Sequence, residues 1–249
     1  MNKILLRAQN VSRHFGALRA VENVSLDLAR HEIHAVIGTN GAGKSTLINL
    51  LSGELPVSAG RVLLGERDIT AASQPQRARW GIGRSYQRNN VFLPLTVFEN
   101  CRLAAQMSAQ KPWHIWETAE HCRLSTERAE EALERTGLTD AARTVAAGLS
   151  HGQKRQLEVA MCLATKPSVL LLDEPLAGMG PEESERMLEL LRNLRHGHAI
   201  LLVEHDMDAV FAVADRITVM VNGSVIASGA PAEVRDNEEV QRAYLGEQV

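Results

Sequence analysis

The residues with the clearest chemistry lie at Gly38-Thr39-Asn40-Gly41-Ala42-Gly43-Lys44-Ser45-Thr46. Glycines at this spacing let backbone N–H groups turn inward and approach phosphate oxygens closely. Lys44 supplies a positive charge for β- and γ-phosphates. Ser45 offers a hydroxyl to Mg²⁺, an oxygen-seeking cation that shares phosphate oxygens. A chance match in a chain of this length has a probability on the order of one in a hundred. The chemistry implied is binding of a nucleoside triphosphate. A second group is the pair Asp173-Glu174, which directly follows the apolar run Val169-Leu170-Leu171-Leu172. Carboxylates at the C-terminal end of a buried strand lie on the ligand side of an open α/β sheet.

These residues need elements to hold them. Ile33 to Ile37 reads as a buried strand and Leu47 to Leu51 as a helix. Strand, glycine-rich loop and helix form the context that a phosphate-binding loop needs, and the helix N-terminus adds unpaired N–H donors. The unbroken apolar runs Val169–Leu172 and Ala199–Val203 suggest strands of a parallel sheet buried on both faces. The second ends at Glu204-His205-Asp206. Ile4–Ala8 and Val24–Leu28 are predicted strands, with His14-Phe15-Gly16 in the loop between them, and Arg61–Leu64 is another. Phe15 is compatible with a core aromatic and with a ligand contact.

From about Leu95 to Met161 the composition shifts to helix formers. Ser125 or Thr126 is a candidate cap for a helix that buries Ala129, Ala132, Leu133 and Thr136 and stops at Gly137. A further helix is predicted from about Lys154 to Ala164, just after Leu149-Ser150-His151-Gly152-Gln153. Glu182–Arg195 reads as a helix, and Arg216–Val221, Asn222-Gly223 and Ser224–Ala227 as a hairpin. Little chain remains for an appended regulatory domain.

The 249 residues suit one large α/β domain with a subdomain. With 27 Lys+Arg against 30 Asp+Glu the net charge is -3, which excludes the basic footprint of a nucleic-acid binder. Cys101, Cys122 and Cys162 lack metal spacing and read as reduced thiols. No apolar run reaches the length of a membrane span, and the N-terminal apolar stretch is too short for a secretory signal. A cytosolic or peripheral location is expected, with any membrane role supplied by a partner.

Gly38–Thr46, Gln87, Leu149–Gln153, Leu170–Pro175 and His205, in this order and across essentially the whole chain, resemble the ATP-binding subunits of ABC transporters. Thr96-Val97-Phe98-Glu99-Asn100, the Ala177-Gly178-Met179 turn and the ending Arg242-Ala243-Tyr244-Leu245-Gly246 are similar to the ATPases of branched-chain amino-acid importers. The resemblance implies a P-loop NTPase core with an antiparallel β subdomain and an inserted helical subdomain. Residues 1–87 and 162–249 would form the nucleotide-binding α/β core and residues 88–161 the helical subdomain. It implies ATP and Mg²⁺ as ligands, with Ser45, Gln87 and Asp173 toward the metal. Glu174 would orient and deprotonate the attacking water, His205 would contact the γ-phosphate, and Gln87 would sense it. Phe15 would stack on adenine. Gly38, Asn40, Gly41, Ala42, Gly43, Lys44, Ser45 and Thr46 would hold the phosphates. Ser150, Gly152 and Gln153 would bind the γ-phosphate carried by a second subunit.

The partners implied are an identical or paralogous ATPase in a head-to-tail dimer and transmembrane permease subunits. A solute-binding protein would act indirectly, and nucleic acid is not a partner. The location implied is the cytoplasmic face of the inner (plasma) membrane. The cargo would be branched-chain amino acids or a related small polar solute such as urea, amides or carboxylates. Gln87 to Leu95 is the expected permease-docking segment, with Val91, Phe92 and Leu93 as an apolar group exposed for a partner's short helix. His151 replaces the usual first glycine of the Ser-x-Gly-Gln segment, with little expected loss. Gly180 stands where an aspartate or asparagine is usual and has no side chain to reach across a dimer, which bears on how strongly this subunit signals to its partner's site. The competing readings are a soluble ABC ATPase acting on nucleic acid or ribosomes, which usually carries two cassettes or long insertions, and a P-loop kinase, which has no need of Ser150–Gln153.

Overall fold

A computed structural model describes residues 3–87, 90–109 and 122–245 of the chain. Arg88, Asn89 and Gly246, which fall within the expected docking segment and the family-like ending, lie outside the described residues, as do positions 110–121 of the expected helical subdomain.

Two sheets organise the described chain. The larger contains β3 (Ile33–Gly38), β6 (Ile82–Arg84), β7 (Val169–Asp173), β8 (Ala199–Val203), β9 (Arg216–Val221) and β10 (Ser224–Gly229), in the order β10-β9-β3-β8-β7-β6. All neighbours pair in parallel except the β9–β10 hairpin. Every residue of β3, β7 and β8 is buried, as unbroken apolar runs dictate for strands covered on both faces. Each fully buried leucine or isoleucine there contributes roughly 1.5–3 kcal/mol. The register decides where the chemistry goes. Val36 pairs with Val203, Asp173 with Val203, and Arg84 with Leu171. The chain segments leaving β3, β6, β7 and β8 therefore emerge together at one carboxyl edge.

The smaller sheet is antiparallel, in the order β2-β1-β4-β5, from β1 (Ile4–Phe15), β2 (Leu18–Ala29), β4 (Ala59–Leu64) and β5 (Arg67–Asp68). β1 and β2 are each far longer than the apolar alternation suggested. His14 and Phe15 are not in a loop; they pair with Arg19 and Leu18 at the strand tip. Register shifts along the β1–β2 ladder break the two-residue alternation on which the sequence reading depends.

Helix α1 (Lys44–Ser52) follows the glycine loop, and α2 (Gln74–Arg79) precedes β6. Helices α3 (Val97–Ala109), α4 (Arg123–Arg135) and α5 (His151–Ala164) pack together. Their apolar cluster, including Cys101, Ala129, Leu133 and Leu157, is continuous with Leu170, Leu172 and Met187 on one face of the large sheet. The cap of α4 differs from the expected one. Cys122 is its N-cap, and Ser125 sits within the first turn with its hydroxyl donating to the Cys122 carbonyl (2.8 Å). Ala129, Ala132, Leu133 and Thr136 are buried, and Gly137 ends the helix at a φ of 70°. After β7 come α6 (Pro181–Leu194), α7 (Met207–Val213), α8 (Pro231–Arg235) and α9 (Glu238–Leu245). No helix among the described residues is long and apolar enough to cross a membrane.

Candidate functional site

The glycine loop turns directly off the end of β3. A Cβ on Gly43 would lie 2.3 Å from the Ala20 carbonyl oxygen, and Gly43 holds a φ of 101°, so no other residue fits. Gly43 is also the N-cap of α1 and makes no side-chain cap. The first amides of α1 are thus left for an anion. The Lys44 ammonium folds back onto the loop, donating to the carbonyls of Gly38 (2.6 Å) and Thr39 (3.0 Å). Burial lowers its pKa, with the Glu174 and Asp173 carboxylates acting in the opposite direction.

A cleft of about 490 Å³ brings Phe15 together with Asn40 to Thr46, Gln87 and Glu174. Phe15 is 44% exposed on this cleft and is not a core aromatic. The Arg13 guanidinium lies 4.7 Å from its ring centre on one side. Glu174 leaves β7 with a φ of 48°, and its amide is held by the Val203 carbonyl (2.9 Å). This turn sets its carboxylate beside the cleft. Gln87 Nε2 donates to Glu174 Oε2 (3.0 Å), and His205 Nδ1 lies 4.0 Å from Glu174 Oε1.

Asp173 is buried, which raises its pKa, while the Arg84 guanidinium 4.0 Å away opposes that rise. Its Oδ1 is buried and has no hydrogen-bond partner among the described residues. A buried carboxylate oxygen without a donor costs free energy unless a cation meets it. The hard-oxygen donors Asp173 and Ser45 suit Mg²⁺.

Ser150, Gly152 and Gln153 do not join this cleft. They line a separate cavity of about 220 Å³ together with Gln156, Glu183 and Arg186. α5 begins at His151, three residues earlier than its composition suggested, so Gly152 and Gln153 form its first turn. Ser150 caps the helix: its Oγ accepts from Gln153 N–H (3.1 Å), and Gln153 Oε1 accepts from Ser150 N–H (3.0 Å). His151 Nε2 donates to the Ala177 carbonyl (3.0 Å), which ties this turn to the segment after β7.

Several residues that shape the site escaped the sequence reading. Arg155 donates to the carbonyls of Tyr86 (2.8 Å) and Gln87 (2.6 Å) and pairs with buried Glu158 (2.9 Å). Glu158 in turn accepts from Asn90 N–H (2.7 Å), so α5 grips both sides of the segment carrying Gln87. Glu204 is fully buried and accepts from the amides of Leu176 (2.8 Å) and His205 (3.2 Å), which fixes the turns after Glu174 and before His205. Burial raises its pKa. The only signal for Glu204 was a carboxylate ending an apolar strand.

The expected docking segment is partly as foreseen. Phe92 is 51% exposed and Leu93 is 46% exposed. Val91 instead packs against the core cluster beneath the helices and does not belong to the exposed group. Phe92 rims an apolar groove of about 440 Å³, whose walls include Pro75, Tyr86, Leu103, Met107 and Met161.

Residues 21–177 match the ABC transporter family, and residues 224–249 match the family described as branched-chain amino acid ATP-binding cassette transporter. Over 99% of its length the chain is 40% identical to the whole high-affinity branched-chain amino acid transport ATP-binding protein LivG of Salmonella typhimurium. It is 35% identical, over the same share, to the whole of the corresponding protein BraF of Pseudomonas aeruginosa. The solved ADP conformation of an ATP-binding cassette of an ABC transporter superposes with a TM-score of 0.86 at 30% identity, covering 98% of this chain and 99% of that one.

Proposed function

The chain belongs to the ATP-binding subunits of ABC transporters, and from that premise we propose that it powers a branched-chain amino-acid importer through the cleft joining Phe15, the glycine loop, Gln87 and Glu174. It is an ATPase coupled to transport. That one cleft carries the reading, because an aromatic, a phosphate loop and a carboxylate all line it. The cargo assignment rests on the 224–249 match and on the LivG and BraF names.

In the proposed mechanism adenine stacks on Phe15, and the phosphates lie along the backbone amides of residues 40–46. Lys44 exchanges its bonds to the Gly38 and Thr39 carbonyls for the β- and γ-phosphates. Ser45, Asp173 and Gln87 would hold Mg²⁺, which when bound would neutralise charge on the phosphate oxygens. Glu174 takes a proton from the attacking water as its oxygen bonds to the γ-phosphorus. The bond from that phosphorus to the bridging β–γ oxygen breaks, leaving ADP and phosphate. His205, beside Glu174 Oε1, donates toward the γ-phosphate oxygens.

Gln87 restrains Glu174 when no nucleotide is bound, and its amide turns to the γ-phosphate when one is. Ser150, Gly152 and Gln153 receive the γ-phosphate of a second ATPase subunit across a head-to-tail dimer. ATP thereby joins the subunits and hydrolysis releases them, a ligand acting through its different affinity for two states. The groove rimmed by Phe92 receives a short helix of the permease at the membrane's cytoplasmic face. Its wall at Tyr86 adjoins Gln87, so docking and nucleotide sensing share one segment.

Lys44→Ala tests the nucleotide site. Direct titration with a fluorescent ATP analogue should show affinity at least roughly tenfold weaker, since the removed charge faces the phosphates in the ground state. Unchanged affinity contradicts the assignment.

A further inference from the structure

The residues read above as the receiver of a partner's γ-phosphate already hold an anion, and it comes from the same chain. Ser150 Oγ donates to Glu183 Oε1 (3.1 Å). A Cβ on Gly152 would lie 2.5 Å from Glu183 Cδ and 2.6 Å from its Oε1, so Gly152 makes room for this carboxylate in the single chain. Glu183 has a competing structural duty in the first turn of α6, but the geometry ranks it second. Its Oε2 accepts from Gly180 N–H at 3.4 Å, a long bond next to the one from Ser150. The neighbouring Glu182 already supplies negative charge at that helix terminus.

We propose that Glu183 is a specificity-determining residue, whose carboxylate fills the anion position of the Ser150–Gln153 turn until a terminal phosphate displaces it. The inference rests on the reading of that turn as the receiver of the partner's phosphate. Two anions cannot share a site bounded by the Ser150 hydroxyl and one helix N-terminus. A γ-phosphate, with three acceptor oxygens and more charge, outcompetes a single carboxylate. ADP presents no terminal group to this position and leaves Glu183 in place. Once phosphate departs after hydrolysis, the carboxylate returns and opposes re-closure. Arg186, which lines the same cavity and now pairs with Glu182 (3.3 Å), is the cation nearest to hand for the displaced carboxylate.

The probe is inorganic phosphate, titrated into the full-length, nucleotide-free, ¹⁵N-labelled chain and into Glu183→Gln. Glutamine keeps the length and hydrogen-bonding capacity needed at the start of α6 and removes only the charge. The Gly152 and Gln153 amides should shift in Glu183→Gln at phosphate concentrations at least roughly tenfold lower than in wild type. The Gly41 and Gly43 amides serve as an internal reference and should respond alike in both. Equal titration at Gly152 in the two proteins, or none in Glu183→Gln, overturns the inference. In the assembled transporter, Glu183→Gln should lower the KM for ATP while leaving inhibition by ADP unchanged, because ADP does not compete with the carboxylate; an unchanged ATP-to-ADP preference also overturns it. Ser150→Arg in the same assembly tests the underlying reading separately. If that variant hydrolyses ATP normally, the partner's phosphate does not use this turn, whatever the phosphate titration shows.

Discussion

Replacing Arg155 with methionine should cost the protein several kcal/mol and loosen Gln87 at the same time. Arg155 and Glu158 face each other at 2.9 Å, and both side chains are only 6% exposed. Removing one member of a buried pair leaves the other charge without its partner, a loss of about 3–5 kcal/mol. Two further groups lose their donor, the Tyr86 and Gln87 carbonyls. In a chain of this size that corresponds to a fall in melting temperature of roughly 6–20 °C. Burial already raises the Glu158 pKa, and losing Arg155 removes an opposing influence, so Glu158 takes up a proton more readily in the variant. The deficit should therefore shrink as pH falls from 8 toward 5.

The assay is urea unfolding of the isolated chain, run as a double-mutant cycle with Glu158→Gln. Arg155→Met alone should show the full loss. The double variant should recover a substantial part of it, because a neutral amide replaces the stranded carboxylate. At temperatures where Arg155→Met is fully folded its turnover should still drop, since Gln87 is no longer held against Glu174. A loss below about 1 kcal/mol, or no recovery in the double variant, refutes this account of how α5 holds the Gln87 segment.

Two other outcomes follow from single side chains. His34 donates from Nδ1 to the Asp27 carbonyl (3.1 Å) and accepts at Nε2 from Thr218 (2.8 Å), and burial, the largest influence, lowers its pKa to about 4. It is neutral in the fold and protonates more readily when unfolded, so its contribution is intact above about pH 6.5 and is lost as pH falls toward 4. The loss, on the order of 3 kcal/mol, should be absent in His34→Gln when unfolding is followed across that range. Phe92→Asp should leave folding and ATP binding of the isolated chain intact, because Phe92 is half exposed, yet abolish co-purification with the permease; a variant that unfolds on its own would place Phe92 in the core.

How much of this was legible in the sequence depended on whether a signal was local. The strands that end at the glycine loop and at the Asp173-Glu174 pair were legible because each is one contiguous, unmistakable apolar run. Strands β1 and β2 were read short because bulges erase alternation. α5 was placed late because Ser150 caps it through its own Gln153, a capping box that the glycine between them disguises. The roles of Arg155, Glu158 and Glu204 were not legible for a different reason. A charged residue on a helix or at a strand end reads as solvated, and only the fold shows that these three are buried and bonded to segments 28 to 69 positions away in sequence. Arg155 reaches Gln87 at a separation of 68, and Glu204 reaches Leu176 at 28. Glu183 belongs to the same class, since its contact with Ser150 spans 33 positions.

The central claim is that Glu174 is the base for water attack in the cleft of Phe15, the glycine loop and Gln87. The most direct measurement compares ATP hydrolysis and ATP retention by wild type and Glu174→Gln at saturating ATP with Mg²⁺. The amide cannot accept the water's proton, so turnover should fall by roughly 10²–10⁴-fold while ATP remains bound and the ATP-joined assembly accumulates. Hydrolysis of ATP by Glu174→Gln at the wild-type rate would contradict the account.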